Sequence, residues 1–260
     1  VALLSFLSAK GSPGATTAAL LTAALWPRDV LVLDADPAGG DVASRLPAAD
    51  GGILDAERGL LPLLTSARRG LQPQQLLAEA QRAAGGTAVV CGLTRPQQAG
   101  AAAGSWPALA GAAAQLGAAG TDVVVDAGRV TTEPVHLPLL RESDVLVLVV
   151  RDDVTSVLHA RRCLPWLATS LRRADGLQPR TGVLVVGDAR RGDGDEAAEL
   201  LRGTGREVED FGRLPLDPAG ARVFDGARTA RPERTALVRA GRGVVATLAG
   251  AVAGEHRRAS

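Results

Sequence analysis

One short stretch near the start of the chain gathers residue types that suit phosphate chemistry: Ser8-Ala9-Lys10-Gly11-Ser12-Pro13-Gly14-Ala15-Thr16-Thr17. An apolar run, 1–7, leads into it, and an Ala- and Leu-rich stretch, Ala18 to Trp26, follows. Strand, small-residue turn and helix form a context in which backbone N–H groups and a helix N-terminus cradle phosphate. Thr16 and Thr17 stand where a phosphate loop offers a hydroxyl to magnesium. The lysine that usually precedes that hydroxyl is absent, and Ala15 takes its position. Lys10, at the front of the turn, is the only lysine among 29 Lys and Arg residues. In a chain that otherwise uses arginine, this points to a need for a compact ammonium there.

Acidic residues follow two later apolar runs. After Val30–Leu33 comes Asp34-Ala35-Asp36-Pro37-Ala38-Gly39-Gly40-Asp41, and after Asp122–Val125 comes Asp126-Ala127-Gly128. Each aspartate alone suits a helix N-cap or a turn. Together they gain another meaning, because the carboxyl ends of parallel strands share one rim, where ligands bind. At such a rim Thr16 offers a hydroxyl to a metal and Asp126 can hold a metal-bound water. An aspartate of the 34/36 pair can orient an attacking water.

The elements that must carry these residues are legible as continuous apolar runs: Ala2–Leu7, Val30–Leu33, Ala88–Val90, Asp122–Val125, Val145–Val150 and Val183–Val186. Continuous runs, unlike alternating ones, suit strands buried on both faces of a parallel sheet. Helices are expected between them at Thr17–Trp26, Gln74–Ala84, Trp106–Ala119, Val154–Leu171 and Asp195–Arg202. The alternation predicts a doubly wound α/β fold, a mostly parallel sheet flanked by helices. No repeat or domain-length linker interrupts it, so residues 1–260 read as one domain. Near the end, Leu237, Gly241, Val244, Val245, Leu248 and Val252 share one helical face, with Arg239 and Arg242 elsewhere. That pattern favours a helix packed on the core over one lying on a membrane surface.

Net charge is +1 and charged residues make up 22%, so bulk electrostatics select no partner. The skew towards Ala, Gly, Leu and Arg points to a GC-rich coding sequence. Cys91 and Cys163 lie far apart in apolar surroundings, which argues against a disulfide framework or zinc site and for free thiols. No run approaches the roughly 18 apolar residues of a membrane span, and 1–7 lacks the charged region of a signal peptide. A soluble, cytoplasmic protein is expected. His136, His159 and His256 are isolated from one another and read as structural or surface residues.

With these motifs in view, the chain resembles the ParA/MinD superfamily of P-loop NTPases. Lys10 to Thr17 is similar to its deviant Walker A loop, KGGxGKTT. Val32 to Gly40 resembles its DxDPQGN motif, and Val123-Val124-Val125-Asp126 its Walker B strand. Ser143 to Val150 resembles a later core strand, and Leu214-Pro215-Leu216-Asp217 the segment that helps to enclose adenine. The resemblance implies ATP and Mg2+ as cofactors, bound by the loop Lys10, Gly11, Ser12, Pro13, Gly14, Ala15, Thr16 and Thr17. It gives Thr16 to the metal, Asp34 and Asp126 to its water ligands, and Asp36 to the hydrolytic water. Lys10 would touch phosphates across an ATP-sandwiched dimer, with Gly11 allowing the partner's close approach. Pro215 and Asp188 would lie by the base, Asp188 standing where relatives carry an asparagine.

Three positions depart from the pattern. Ala15 removes the charge given to the β- and γ-phosphates, which by analogy with a lost electrostatic donor slows chemistry by roughly 10²–10³. Ser12 replaces a glycine, at a strain on the order of 1–3 kcal/mol if φ is positive there. Pro13 removes one N–H and stiffens the loop. Loops lacking the lysine are similar to those of CpaE/TadZ-like proteins, which position pilus secretion machinery. This resemblance implies a nucleotide-gated dimer with a protein partner and weak or absent hydrolysis. The alternative is a partition ATPase that binds DNA non-specifically through Arg161, Arg162, Arg172 and Arg173, whose spacing of 11 would bring the pairs near one helix face.

Overall fold

The first strand, β1 (Leu3–Ser8), is buried along its whole length, and its side chains divide between two cores. Leu3 and Leu7 enter one core, Leu4 and Phe6 the other. That division, which follows from the period of two in a strand, runs through the molecule. The structure is a computed structural model and describes residues 2–11, 13–188, 208–227, 229 and 231–256, with side chains to 253. The expected strain at Ser12 and the helix expected over Asp195–Arg202 therefore lie outside the described residues, as does the His256 side chain.

After β1 the chain runs through α1 (Ala15–Leu25), β2 (Val30–Asp34), α2 (Val42–Arg45), α3 (Leu60–Ser66) and α4 (Pro73–Glu79). Then come β3 (Gln81–Arg82), β4 (Ala88–Val90), α5 (Pro96–Ala101), α6 (Trp106–Ala118) and β5 (Asp122–Arg129). The remainder is α7 (Leu137–Glu142), β6 (Val145–Arg151), α8 (Val154–Ser170), β7 (Arg180–Gly187), β8 (Glu209–Pro215) and a closing helix, Ala236–His256. The strands form one sheet in the order β3-β4-β2-β5-β1-β6-β7-β8. Each neighbouring pair is parallel except β3–β4. This is the doubly wound, mostly parallel α/β sheet expected from the sequence.

Helices cover both faces. Leu63 and Leu64 of α3, Leu109 and Leu116 of α6, and Leu164 and Leu167 of α8 pack with Leu3 and Leu7. On the other face, Leu20 and Leu21 of α1 meet Val244 and Leu248 of the closing helix. By length and apolarity the span Ala236–Ala253 could cross a membrane. Here it is a core helix: Leu237, Val244, Val245, Leu248 and Val252 are buried, and a Cβ on Gly241 would press on Leu21.

Two elements differ from expectation. The helix expected over Gln74–Ala84 ends at Glu79, and Gln81–Arg82 turn into the antiparallel edge strand. Its edge position needs no apolar run. β8 has no apolar run either: only Phe211 and Leu214 are buried in it. Its ladder to β7 forms an edge that the closing helix covers.

Candidate functional site

The carboxyl ends of β1, β2, β5 and β6 meet along one rim of the sheet. At β1 the chain turns through Gly11 (φ 73°) and Gly14 (φ 98°), both in the left-handed region that glycine tolerates. Gly14 precedes α1, and no side chain caps the helix. The first-turn N–H groups of α1 thus lack intrahelical acceptors, and no acidic residue sits among them to compete with an anion. Ala15 opens the helix and is 7% exposed, among the apolar side chains of that core. Pro13 is buried, Thr16 and Thr17 are half-buried, and Lys10 and Gly11 face solvent.

Asp34 and Asp126 lie directly opposite each other across β2 and β5. Both are buried, at 0% and 1% exposure. Asp34 Oδ2 accepts a hydrogen bond from the Val42 N–H (3.1 Å), while Oδ1 has no partner among the described residues. Gly40 and Gly92 wall this carboxyl group, for a Cβ on either would run into it. Burial raises the Asp34 pKa well above its ordinary value, and the Asp126 charge adds to the effect. Asp126 is pushed up to about 6, by burial first, while the Thr16 hydroxyl and the Gly128 N–H bond to it and pull the other way. The Gly128 bond is 3.2 Å.

Asp36, two residues along, is also raised by burial, partly offset by the Ala38 N–H, which donates to its Oδ1 at 2.8 Å. Its carboxyl group rests against Gly128, where a side chain would collide with it and where φ is 63°. Arg45, from the end of α2, donates through Nη2 to Thr17 Oγ1 (3.0 Å) and through Nε to Asp225 (2.7 Å). Sequence reading missed Arg45, since only the fold carries α2 back to the phosphate turn.

A cleft of ≈ 200 Å³ opens beside the turn. Pro13, Gly14, Thr17 and Ala18 line one end, and Leu214, Pro215, Leu216, Asp217 and Pro218 the other, with Arg151 and Val186 between. Pro215 therefore lines the cleft. Asp188 is not among its lining residues: its N–H donates to Asp152 Oδ2 (3.1 Å), which also accepts from Arg213 Nη2 (2.7 Å).

The four arginines considered for DNA do not share a helix face. Arg161 and Arg162 are exposed on α8, but the helix ends at Ser170, before Arg172 and Arg173. Arg173 turns inward, donating through Nε to the Arg141 carbonyl (2.6 Å), beside a cleft of ≈ 370 Å³ that Arg141, Glu142 and Arg172 also line. His136 is wholly buried beside Trp106, with ring centroids 5.9 Å apart, and burial lowers its pKa to about 4. Cys91 and Cys163 are free thiols.

Among the described residues no group of three or more His, Cys, Asp or Glu could hold a metal alone. Magnesium seldom asks for that: one or two carboxylates, several waters and substrate phosphates usually complete its shell. The orphaned Asp34 Oδ1, Asp126 opposite it, the Thr16 hydroxyl and an uncapped helix N-terminus fit a cation that arrives with a polyphosphate.

No protein-family model matches the chain, and no curated protein matches it significantly. Solved structures do. A ParA family ATPase from Chlorobium tepidum superposes with a TM-score of 0.69 at 17% identity, covering 95% of this chain and 97% of that one. The septum site-determining protein MinD from Pyrococcus horikoshii, complexed with Mg-ADP, gives 0.68 at 15%, covering 96% and 98%. A Cyanothece McdA(D38A)–ATP complex gives 0.70 at 15%, covering 96% of each chain. At such identities the likeness establishes the fold.

Proposed function

We propose that this chain is an ATP-binding protein of the ParA/MinD kind, dimeric when loaded, that recruits a protein partner and hydrolyses ATP slowly or not at all. The phosphates lie against the first turn of α1 and the turn Lys10–Gly14, with the base in the cleft towards Pro215. Thr16 offers its hydroxyl to magnesium, Asp34 and Asp126 hold the metal's waters, and Asp36 orients the attacking water. Magnesium, if held there by Thr16 and by waters on Asp34 and Asp126, would neutralise phosphate charge.

The observation that carries binding is the buried Asp34–Asp126 pair facing an uncapped helix N-terminus. Two carboxyl groups held in apolar surroundings, one with an orphaned oxygen, are costly without a cation. The observation that carries weak hydrolysis is Ala15 at the head of α1, in place of a charge on the β- and γ-phosphates. Ala15 also supports the CpaE/TadZ-like reading, a positioning or assembly factor of pilus or secretion machinery. The solved MinD with Mg-ADP and McdA with ATP are relatives by fold whose ligands have this chemistry.

Titration of the purified chain with ATP and ADP, with and without Mg2+, tests the reading. Saturable binding that strengthens with Mg2+ and weakens in Thr16→Ala is expected. Absence of saturable ATP binding in Mg2+ would refute it. Turnover at a typical enzymatic rate, about 1–10³ s⁻¹, would refute the hydrolysis-poor half.

A further inference from the structure

Arg151 is the last residue of β6, paired in register with Val186 of β7. Along β6, Leu146, Leu148 and Val150 face one core while Val145, Val147 and Val149 face the core of α1. The period of two therefore sends Arg151 to the α1 side, where the core gives way to the cleft. β6 is the neighbour of β1, with Ser8 opposite Val149. Arg151 thus leaves the sheet beside the strand that feeds the phosphate turn.

Among the described residues that line the cleft, Arg151 is the only cation and Asp217 the only anion. Asp217 is already committed: its carboxylate accepts from the Gly220 N–H (2.9 Å) and the Leu237 N–H (3.1 Å). Two other arginines near this rim are occupied, while Arg129, which ends β5 opposite Ser8, is exposed and does not line the cleft. Arg45 bonds Thr17 and Asp225, and Arg213 bonds Asp152. Arg151 makes no hydrogen bond or ion pair with a described residue; its charge acts on Asp153, two positions on. A half-buried guanidinium with no partner among the described residues, lining a cleft with Gly14 and Thr17, can offer its fork to a phosphate.

We infer that Arg151 is a phosphate-binding residue of the nucleotide cleft, its guanidinium donating to the phosphate chain on the sugar side of the turn. The inference rests on the nucleotide-binding reading above and adds a cation to it. The chain that lacks the loop lysine thus carries positive charge to the sugar side of the phosphate chain from the neighbouring strand. Arginine holds phosphate oxygens by hydrogen bonds, so the contact serves affinity and leaves the chemical step without the β,γ-directed charge that Ala15 omits.

The test uses the full chain and a fluorescent ADP analogue, displaced by ADP, by ATP and by inorganic triphosphate. Wild type is compared with Arg151→Ala and Arg151→Gln, the second keeping a polar, hydrogen-bonding side chain without charge. Charge-assisted hydrogen bonds contribute enough that affinity for ADP and ATP should fall about tenfold to a hundredfold in both variants. Displacement by triphosphate, which has no base, should weaken by a similar factor. Equal ADP affinity in wild type and both variants would overturn the inference. So would triphosphate that displaces the probe equally from all three proteins or from none, since Arg151 would then act on the base. Failure of wild type to bind any nucleotide would instead overturn the nucleotide reading itself, and this inference with it.

Discussion

Asp34 and Asp126 face each other across β2 and β5, and their protonation makes stability depend on pH in a readable way. The folded chain holds the Asp126 proton up to about pH 6, against an ordinary value of 3.8. A raised carboxylate favours the fold below pH 3.8, and that contribution is lost as pH rises through 6. Asp34 is shifted in the same direction. His136 acts the other way, because burial takes it from 6.5 to about 4. Its contribution is present above 6.5 and is lost as pH falls towards 4. Between pH 4 and 6 the two oppose. Asp126→Asn removes one side, so the variant should melt higher than wild type at pH 7.5 and lose stability more steeply on acidification to pH 5. Parallel melting curves for the two proteins across that range would contradict the assignment. Ala15 belongs to the same scale: Ala15→Lys should raise phosphate release by roughly 10²–10³ at unchanged ADP affinity, measured on protein whose melting temperature is checked first. These residue types were visible in the sequence. Arg151 was not, because nothing in Val150-Arg151-Asp152 distinguishes it from 27 other arginines until β6 lies beside β1.

At the scale of elements, the phosphate turn is held by contacts made at the far end of the same strand and helix. Asp122, at the start of β5 and 1% exposed, accepts from the Ala2 N–H (2.6 Å), the Trp26 indole (2.6 Å) and Arg28 Nε (2.7 Å). It thereby ties the entrance of β1 and the exit of α1 to β5. Asp122→Ala would leave buried donors unpaired and cost on the order of 2–3 kcal/mol, measurable by urea unfolding, with Asp122→Asn losing less. A loss below the scatter of surface substitutions, about 0.5 kcal/mol, would show that the node carries little. Strands buried on both faces were legible because continuous Val and Leu runs have no other place to go. β3 and β8 were not, since an edge strand shares its polar composition with loops. The short helices α2, α3, α5 and α7 escaped for a related reason: four to seven residues hold too few turns for a period to declare itself.

At the scale of the whole molecule, Lys10 stands exposed at the rim, where it reaches solvent more readily than its own cleft. If it contacts the nucleotide of a second copy, Mg-ATP should convert the chain from monomer to dimer. Lys10→Ala should abolish that conversion while leaving ADP affinity within about twofold, as light scattering and titration would report. A dimer of Lys10→Ala that forms with ATP as readily as wild type would remove Lys10 from the interface. The sequence by itself determined the sheet, the glycine turn after β1, the aspartates and the alanine at position 15. Those are local matters: burial on both faces, glycine at positive φ and side-chain chemistry are written in adjacent residues. Only the tertiary structure decided which residues meet. It set Asp34 opposite Asp126, brought Arg45 to Thr17 and Arg151 to the cleft, and left Arg172 and Arg173 off the face of α8. Strand order and crossover connections bring together residues tens of positions apart and more, and no local spacing encodes those meetings.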